Sequence, residues 1–477
     1  MSIKNNHHDT IKIHTFPNSF RVIYQKPKQA LPITSINVFC KVGSILETES
    51  VRGICHFLEH MCFKGTKKII QPNEIFKSYD KIGAYINAYT EKEYTCYTAK
   101  CADEYVENSI QILSDMMLNS TIPEKEFIKE QKVVVEENIR NINDNEWFLF
   151  DKLIAIFYGG SSYAYPIDSI EYHPNDTILK YKNVLDWYGY FYNPENMVFS
   201  ITTNISFSKI IRILKTTDFI KMKSKTMKFK SEFTLALPFP NLNLLPIHNT
   251  DKNKKQNKIR VEIFNKKGMS TNFIGVGFRT CNNKHPNKYP LDLLNHLLNE
   301  LSGRLFNLLR EEHGLTYRSN CMVDNKEHSG YFLIYVETDP HKTIYDGKGK
   351  NSGVLPIIIQ LLCDLRKNGI TKEELDRFKG NMKGKYLMNL ENVDNITNYN
   401  GIEYILSLSD DNFNREFIDY NDIYETHIDK ITKEQIQQVI NEYFVVENMV
   451  VYILGEKTPS LTLVEKIVSK YNHTNQK

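Results

Sequence analysis

The chain has 477 residues, of which 41% are hydrophobic and 25% charged, close to the averages of soluble globular proteins. Its formal net charge of +3, with the lysines spread along the sequence, gives no indication of a nucleic-acid or membrane partner. The length exceeds what one hydrophobic core usually organises, so two or more domains are expected.

The predicted elements form two α/β halves joined by a segment with linker composition. In the first half, strand-like segments at 20–25, 33–42, 84–90 and 93–101 alternate with helical periodicity at 51–64, 72–82, 102–119, 123–143 and 177–191. Prolines and then a lysine-rich stretch mark the predicted linker, 231–257. In the second half, strands are predicted at 258–264, 271–280, 317–323 and 331–338, and helices at 289–312, 353–367, 371–391 and 432–444.

Two repeated sequence features indicate that the second half duplicates the first. The tetrapeptide Glu195-Asn196-Met197-Val198 recurs as Glu447-Asn448-Met449-Val450, each time opening an apolar strand. Similar charged segments also begin the long helices predicted at 123–143 and 371–391. The sequence therefore predicts an N-terminal domain, 1–230, and a related C-terminal domain, 258–477.

The N-terminus and the cysteines bear on the compartment. Met1 to Thr10 lacks the apolar stretch of a secretory signal, and no arginine precedes Arg21, which disfavours an organellar transit peptide. Eight cysteines without a CxxC pair predict reduced, mostly buried thiols rather than disulfides. A cytoplasmic location is the default expectation, with other compartments left open.

The segment Gly53-Ile54-Cys55-His56-Phe57-Leu58-Glu59-His60-Met61 carries the strongest chemical signal. With helical spacing, His56 and His60 lie one turn apart on one face, so both imidazoles reach one ion. Glu59 lies on nearly the same face, where it can contact a water bound to that ion as a general base. This H-x-x-E-H order is typical of inverzincin zinc peptidases. Cys55 and Cys62 flank the motif and leave thiol ligation as an alternative.

A catalytic zinc site requires a third protein ligand. Glu130 and Glu137 are seven residues apart in a predicted helix and share a face, while Val133 and Val134 are predicted to mark its buried side. Glu137 is the predicted third ligand, although periodicity distinguishes it only weakly from Glu136. Glu130 is placed to hydrogen-bond a ligating imidazole from the second shell.

Taken together, these motifs resemble the pitrilysin or insulinase family of metallopeptidases, in particular the mitochondrial processing peptidase beta subunit and its bacterial relatives. The resemblance is carried by His56 to Met61 followed by Phe63-Lys64-Gly65-Thr66, by Asn87-Ala88-Tyr89-Thr90, by Glu130 to Glu137, and by Ser302 to Phe306 leading to Arg310 and Gly314 to Tyr317. These segments cover most of the chain in the family's order.

The resemblance implies an α+β fold of two homologous domains, each a mostly antiparallel sheet packed with helices, which close like a clam shell around an extended peptide. It implies one zinc ion per chain, held by His56, His60 and Glu137 of the first domain only. It makes Glu130 a supporting acid of the catalytic site. It also implies a polypeptide substrate, and a partner that is a second copy or a related subunit.

The resemblance further assigns substrate contacts. Arg310 and Tyr317 of the second half are expected to act on the substrate and its oxyanion, for which a guanidinium and a phenol are suitable donors. Asn87 and Ala88 are expected to present a strand edge to which an extended substrate adds.

The functional prediction is a zinc endopeptidase of extended or unfolded polypeptides with Glu59 as general base. The alternative is an inactive homologue that serves as a peptide-binding or scaffold subunit.

Overall fold

The computed structural model describes residues 11–28, 31–159, 161–168, 172–173, 176–177, 179–223, 259–345, 352–408 and 422–472. The chain divides into two compact units. The first is drawn from Met1–Asn143, Tyr165–Asn241 and Leu387–Asp422. The second is drawn from Asp144–Ala164, Leu242–Tyr386 and Ile423–Lys477.

A six-stranded sheet forms the centre of the first unit. Its strands lie in the order β1-β2-β8-β3-β5-β4, and all neighbours are antiparallel except β2 and β8. A separate two-stranded hairpin contains β6 and β7. The bounds are β1 Ile11–Thr15, β2 Arg21–Gln25, β3 Ile33–Cys40, β4 Tyr85–Thr90, β5 Thr95–Ala102, β6 Tyr172–His173, β7 Asp176–Thr177 and β8 Met197–Thr202.

Helices of the first sequence half pack around that sheet, and their apolar faces fill a core that includes Phe20, Ile36 and Phe57. Their bounds are α1 Ile54–Cys62, α2 Glu74–Asp80, α3 Val106–Leu118, α4 Glu124–Asn143, α6 Tyr181–Phe191, α7 Phe207–Leu214 and α8 Asp218–Lys221. One further helix, α5 Asn145–Phe157, belongs to the second unit.

The second unit contains a five-stranded sheet in the order β11-β12-β10-β13-β9, antiparallel except for β13 and β9. Its strands are β9 Arg260–Asn265, β10 Asn272–Thr280, β11 Arg318–Asn325, β12 Gly330–Thr338 and β13 Met449–Gly455. The helices of the second sequence half are α9 Lys288–Asn299, α10 Arg304–Phe306, α11 Val354–Asn368, α12 Lys372–Asn389, α13 Val393–Ser407, α14 Lys433–Tyr443 and α15 Leu461–Asn472. Two π-helical turns occupy Asn307–Glu312 and Tyr424–Ile428.

The two sheets share one topology. Read from the other edge, the second sheet runs β9-β13-β10-β12-β11, which matches β2-β8-β3-β5-β4 of the first. The parallel pair occupies the same place in both. The repeated tetrapeptides lead into β8 and β13, which are equivalent strands. This correspondence supports the duplication inferred from the sequence.

Each unit takes one helix from the other sequence half. Helix α5 packs on β10 and β13, and its Phe150 and Phe157 also contact Tyr335 and Tyr331 of the neighbouring β12. Helix α13 packs on β3 and β8 in the equivalent place. Neither helix was predicted. Polar Thr397 and Asn400 of α13 are buried, so its sequence lacks the apolar periodicity on which helix prediction depends.

The predicted α+β architecture of two mostly antiparallel sheets packed with helices is confirmed. The domain boundaries 1–230 and 258–477 stay a prediction about the duplicated sequence, and the linker 231–257 lies outside the described residues. The helix predicted at 289–312 ends at Asn299, because Glu300 adopts an extended conformation (φ −70°, ψ 156°), and helical structure resumes at Arg304. Gly303, between the two helices, packs against backbone carbonyls that leave no room for a side chain.

The cysteine prediction is also confirmed. All eight cysteines are free thiols, and all except Cys363 are buried. No helix within the described ranges is long and apolar enough to cross a bilayer.

Candidate metal centre

Helix α1 carries the H-x-x-E-H motif and begins at a tightly held turn. Gly53 before the helix has a φ of 77°, a left-handed conformation that glycine adopts without strain. The buried carboxylate of Glu47 accepts hydrogen bonds from the backbone N–H groups of Gly53 (2.8 Å) and Cys55 (2.9 Å). Glu47 therefore caps the first turn of α1 and satisfies two donors that the helix leaves free. Phe57 and Leu58 anchor the helix in the core.

The two histidines converge as their spacing predicts. Their Nε2 atoms are 3.2 Å apart, and both rings are half-buried. Because the imidazoles come from adjacent turns, their nitrogens point to one place above the helix face.

Glu137 on α4 completes the group. Its Oε2 lies 3.7 Å from His60 Nε2 and 4.0 Å from His56 Nε2, while its Oε1 accepts from Arg140 at 3.2 Å. Glu136 is exposed on α4. The prediction that Val133 and Val134 mark the buried side was wrong for Val133, which is 48% exposed. The buried pair is Val134 and Val135, so the apolar face of α4 is rotated by one residue.

His56, His60 and Glu137 fit the donor set of a zinc ion. Each offers one ligand atom, and the three atoms lie within 4.8 Å of one another. Donors about 2.0–2.2 Å from a tetrahedral ion are separated by about 3.3–3.6 Å, close to the observed spacings. Two imidazole nitrogens and one carboxylate oxygen also match the ligand types of catalytic zinc sites. Within the described residues no other group of three such side chains meets this spacing.

Glu130 lies one layer behind the histidines. Its Oε1 is 2.9 Å from His60 Nδ1, and its Oε2 is 2.7 Å from Lys64 Nζ. Burial raises the pKa of this carboxyl group, but the hydrogen bonds from His60 and Lys64 outweigh that effect and hold the pKa below its ordinary value. An ionised Glu130 favours the tautomer in which His60 carries its proton on Nδ1, leaving Nε2 free for a metal.

The two histidines titrate differently because their surroundings differ. Burial, with the proximity of His60, lowers the pKa of His56 to about 4, which favours the neutral imidazole that binds metal. Burial is the largest single effect on His60 and lowers its pKa, but the hydrogen bond to Glu130 and the charges of Glu59, Glu130 and Glu137 together outweigh it, so the net shift of the pKa is upward. His56 Nδ1 has no hydrogen-bond partner among the described residues.

Glu59 is almost fully buried, with 7% of its surface exposed. Its Oε2 accepts a hydrogen bond from the Thr90 hydroxyl at 2.7 Å. Burial raises its pKa to about 7, against the opposing effect of this bond. A carboxyl group with such a pKa can take and return a proton near neutral pH.

Asn87 and Ala88 lie on β4, the edge strand of the first sheet. The exposed Asn87 side chain donates to the Tyr85 hydroxyl and accepts from the Ala88 backbone N–H. Ala88 is half-buried against the core that contains α1. Among the described residues, no strand lies beside the outer side of β4 in its sheet.

Arg310 and Tyr317 belong to the second unit. Arg310 lies in a π-helical turn rather than in the regular α-helix that was predicted, and Tyr317 follows Gly314, whose φ is 59°. Tyr317 is 92% exposed, and the Arg310 guanidinium lies 5.5 Å from the centre of its ring. The two side chains therefore form one exposed cationic and phenolic group.

The second unit has no equivalent histidine pair. Its counterpart of α1 is α9, where His296 contacts Glu300 and Asn381 and no histidine follows four residues later. Helix α9 therefore occupies the equivalent place in the fold but offers only one imidazole.

Comparison of the sequence with known proteins places the chain in a family. Residues 21–169 match the family described as Insulinase (Peptidase family M16), and residues 179–382 match the Peptidase M16 inactive domain. The chain belongs to the M16 peptidase family. His56, His60 and Glu137 all lie within the first matched segment, and the second matched segment includes α9, which carries no such histidine pair.

Sequence relatives extend over most of the chain, and solved structures share its fold. An uncharacterized zinc protease of Bacillus subtilis, YmxG, is 31% identical over 83% of this chain and 88% of its own length. The zinc protease PqqE of Helicobacter pylori is 25% identical over 90% of this chain and 89% of its own. A crystal structure of a Helicobacter pylori protease superposes with a TM-score of 0.78 at 22% identity, covering 94% of this chain and 99% of that one. The first half of the periplasmic protease PqqL from Escherichia coli gives 0.73 at 15% identity, covering 97% of each chain.

Three residues near the M16 motif received no role from the sequence. Glu47 binds the first turn of α1, Thr90 donates to Glu59 of α1, and Lys64 pairs with Glu130 of α4. Lys64 and Thr90 lie in the motifs that carry the resemblance, but the side chains they contact became apparent only in the fold. Glu47 precedes the motif by nine positions, which no helical or strand spacing links to α1.

Proposed function

We propose that this protein is a zinc endopeptidase that hydrolyses peptide bonds of extended or unfolded polypeptides, with one zinc ion per chain. The observation that carries the proposal is the convergence of His56, His60 and Glu137 within 4.8 Å in an M16 chain. The relatives YmxG and PqqE are named zinc proteases, which supports the same metal here.

The chain's own residues supply the remaining chemistry. A zinc ion held by these three ligands would contribute Lewis-acid activation of water and of the scissile carbonyl. Glu59 would accept a proton from the attacking water through Oε1 and pass it to the amine of the leaving peptide. Glu130, hydrogen-bonded to both His60 and Lys64, would hold the imidazole in its ligating orientation.

Substrate binding is assigned to two further elements. The free edge of β4 at Asn87 and Ala88 can pair with an extended peptide, because an edge strand presents unpaired backbone donors and acceptors. Arg310 and Tyr317 are assigned to the substrate and to the oxyanion of the tetrahedral state. Tyr317→Phe should lower kcat while leaving zinc content unchanged.

The test combines zinc analysis with cleavage of a panel of extended peptides, using wild type, Glu59→Gln and Glu137→Gln. Wild type should contain one zinc per chain and cleave. Glu59→Gln should keep its zinc and lose turnover, because the amide cannot accept the proton. Glu137→Gln should lose both.

Two results would contradict this assignment. Loss of zinc from Glu59→Gln would make Glu59 a ligand rather than the base. A metal-free, inert wild type would favour the alternative function, an inactive homologue that binds peptides as a scaffold subunit.

A further inference from the structure

The carboxylate of Glu59 is held by one side chain from outside its helix. Thr90 Oγ1 donates to Glu59 Oε2 at 2.7 Å, and both residues are buried. Glu59 Oε1 has no hydrogen-bond partner in the part of the chain that the structure describes. One oxygen is thus occupied by the protein, and the other is left for a reacting molecule.

Thr90 is the last residue of β4, so its position depends on that strand. Side chains alternate along a strand, which places Thr90, Ala88 and Ile86 on one face of β4. Ala88 and Ile86 pack against the core that contains α1, whereas Tyr89, between Ala88 and Thr90, donates from the opposite face to Asn398 of α13. The contact with Glu59 therefore joins α1 to the face of β4 that also carries Ala88.

We propose that Thr90 is a positioning residue that orients the general base Glu59 and fixes it to β4, the strand assigned to substrate pairing. This inference rests on the proposed peptidase function. Glu59 on α1 can reach the scissile bond of a substrate paired with β4 only if the distance between α1 and β4 stays fixed. The Thr90 hydroxyl donates the side-chain hydrogen bond that links Glu59 to that strand.

The expected effect follows from the flexibility of glutamate. Three side-chain torsions let an unanchored carboxylate rotate away from its reacting geometry, and a displacement of about 1 Å can lower a rate by about a hundredfold. Removing the hydroxyl also leaves a buried carboxylate oxygen without its donor, which favours other rotamers. The effect should fall on turnover rather than on binding of substrate or metal.

The neighbouring Thr95 supplies a matched control. It pairs with Thr90 across β4 and β5, and it too is buried. Its hydroxyl donates to the backbone carbonyl of Val42 at 2.9 Å, away from Glu59. Thr95→Val therefore removes the same group from the same hairpin without touching the base.

The experiment compares Thr90→Val, Thr90→Ser and Thr95→Val for zinc per chain, kcat and KM on an extended peptide. Thr90→Val should keep its zinc, change KM less than about twofold and lower kcat by at least about tenfold. Thr90→Ser, which retains the hydroxyl, should keep kcat within about threefold of wild type, as should Thr95→Val. Unchanged kcat in Thr90→Val, or equal loss in Thr90→Ser, would overturn the proposal.

A second measurement on metal-free protein separates this proposal from the peptidase assignment. Melting temperatures are compared for wild type, Thr90→Val, Glu59→Ala and the double variant. Thr90→Val should lower the melting temperature of protein with Glu59, and the loss should at least halve when Glu59 is already alanine. Equal losses in both backgrounds would overturn the link between the two residues. An inert wild type with this coupling intact would instead reject the peptidase function while retaining the Thr90–Glu59 contact.

Discussion

Glu130 links the predicted ligand His60 to Lys64 through its two carboxylate oxygens. Partners of this kind fix the tautomer and the ring orientation of a metal-ligating histidine. The lysine supplies a positive charge that keeps the acid ionised, as the downward shift of its pKa indicates. The role of Glu130 therefore depends on its contacts on both sides.

We expect Glu130→Gln to weaken zinc binding by about 10- to 100-fold, because the neutral amide loses the charge that pairs with His60 and Lys64. Competition with a chelator of known affinity measures this. Glu126→Gln is the control, since Glu126 lies on the same helix and pairs with Lys129 rather than with His60 or Lys64. Equal zinc affinity in the two variants would show that Glu130 does not support the site.

Glu47 predicts a pH dependence of stability. Burial raises its pKa to about 7, against the hydrogen bonds from Cys55 and Gly53, whereas a glutamate in an unfolded chain has a pKa of about 4.3. Between these values the folded protein binds more protons than the unfolded one, so this group makes stability fall as pH rises from about 4.3 to 7. Above both pKa values its contribution is constant.

Glu47→Gln removes this ionisation. The melting temperature of the metal-free variant, relative to that of metal-free wild type, should therefore rise between pH 5 and pH 7.5 and level off above. Thermal melts at several pH values measure the difference. If the difference in melting temperature between variant and wild type stayed constant across that pH range, Glu47 would not titrate there.

At the scale of elements, the docking of α13 on the first sheet depends on close contact. A Cβ on Gly401 would lie 1.9 Å from Phe39 Cε2, and Phe39 is fully buried. Helix α13 also bonds to the sheet through polar side chains, with Ser200 donating to the Thr397 carbonyl and Asn400 to the Gln25 side chain. Close packing at Gly401 and hydrogen bonds therefore both hold α13 on the sheet.

Gly401→Ala should destabilise the protein by about 1–3 kcal/mol, because the added methyl group overpacks a rigid core. Gly380→Ala in α12 is the matched control, since no atom lies within 4 Å of its would-be Cβ. That substitution should stabilise by about 0.4–1 kcal/mol through helix propensity. Urea unfolding of the two variants measures both changes in the free energy of unfolding. A stabilising Gly401→Ala would refute the close packing.

At the scale of the molecule, the matching strand order of the two sheets fits the duplication inferred from the sequence, and each sheet is covered by a helix from the other half. Helix α13 contributes Tyr404, Ile405 and Leu406 to a core with Phe39 and Val198 of the first sheet. Without α13, this apolar face would be exposed to water.

Residues 1–230 expressed alone should therefore bind a hydrophobic dye and melt at a lower temperature than the full chain, because the face of the first sheet is left open. Adding a peptide of residues 387–408 should reduce dye binding. The same peptide with Gly401→Leu is the control and should have little effect, since it cannot approach Phe39. A fragment as stable as the full chain would contradict the role of the exchanged helix.

The sequence by itself determined the features that depend on local spacing. The positions of His56 and His60 one turn apart, the alternation of the strands and the recurrence of the tetrapeptide before β8 and β13 all follow from short segments. The family motifs added the order of the remaining residues. These features gave the α+β class, the duplication and the candidate ligands.

Only the tertiary structure decided which distant side chains meet. It places Glu137 beside the imidazoles while Glu136 is exposed, brings Glu130 to His60 across 70 residues of sequence and sets Thr90 against Glu59 across 31. It also assigns α5 and α13 to the units opposite their sequence halves. Such contacts depend on how α1, α4, β4 and α13 pack together, and periodicity describes one element at a time, so no local pattern encodes them.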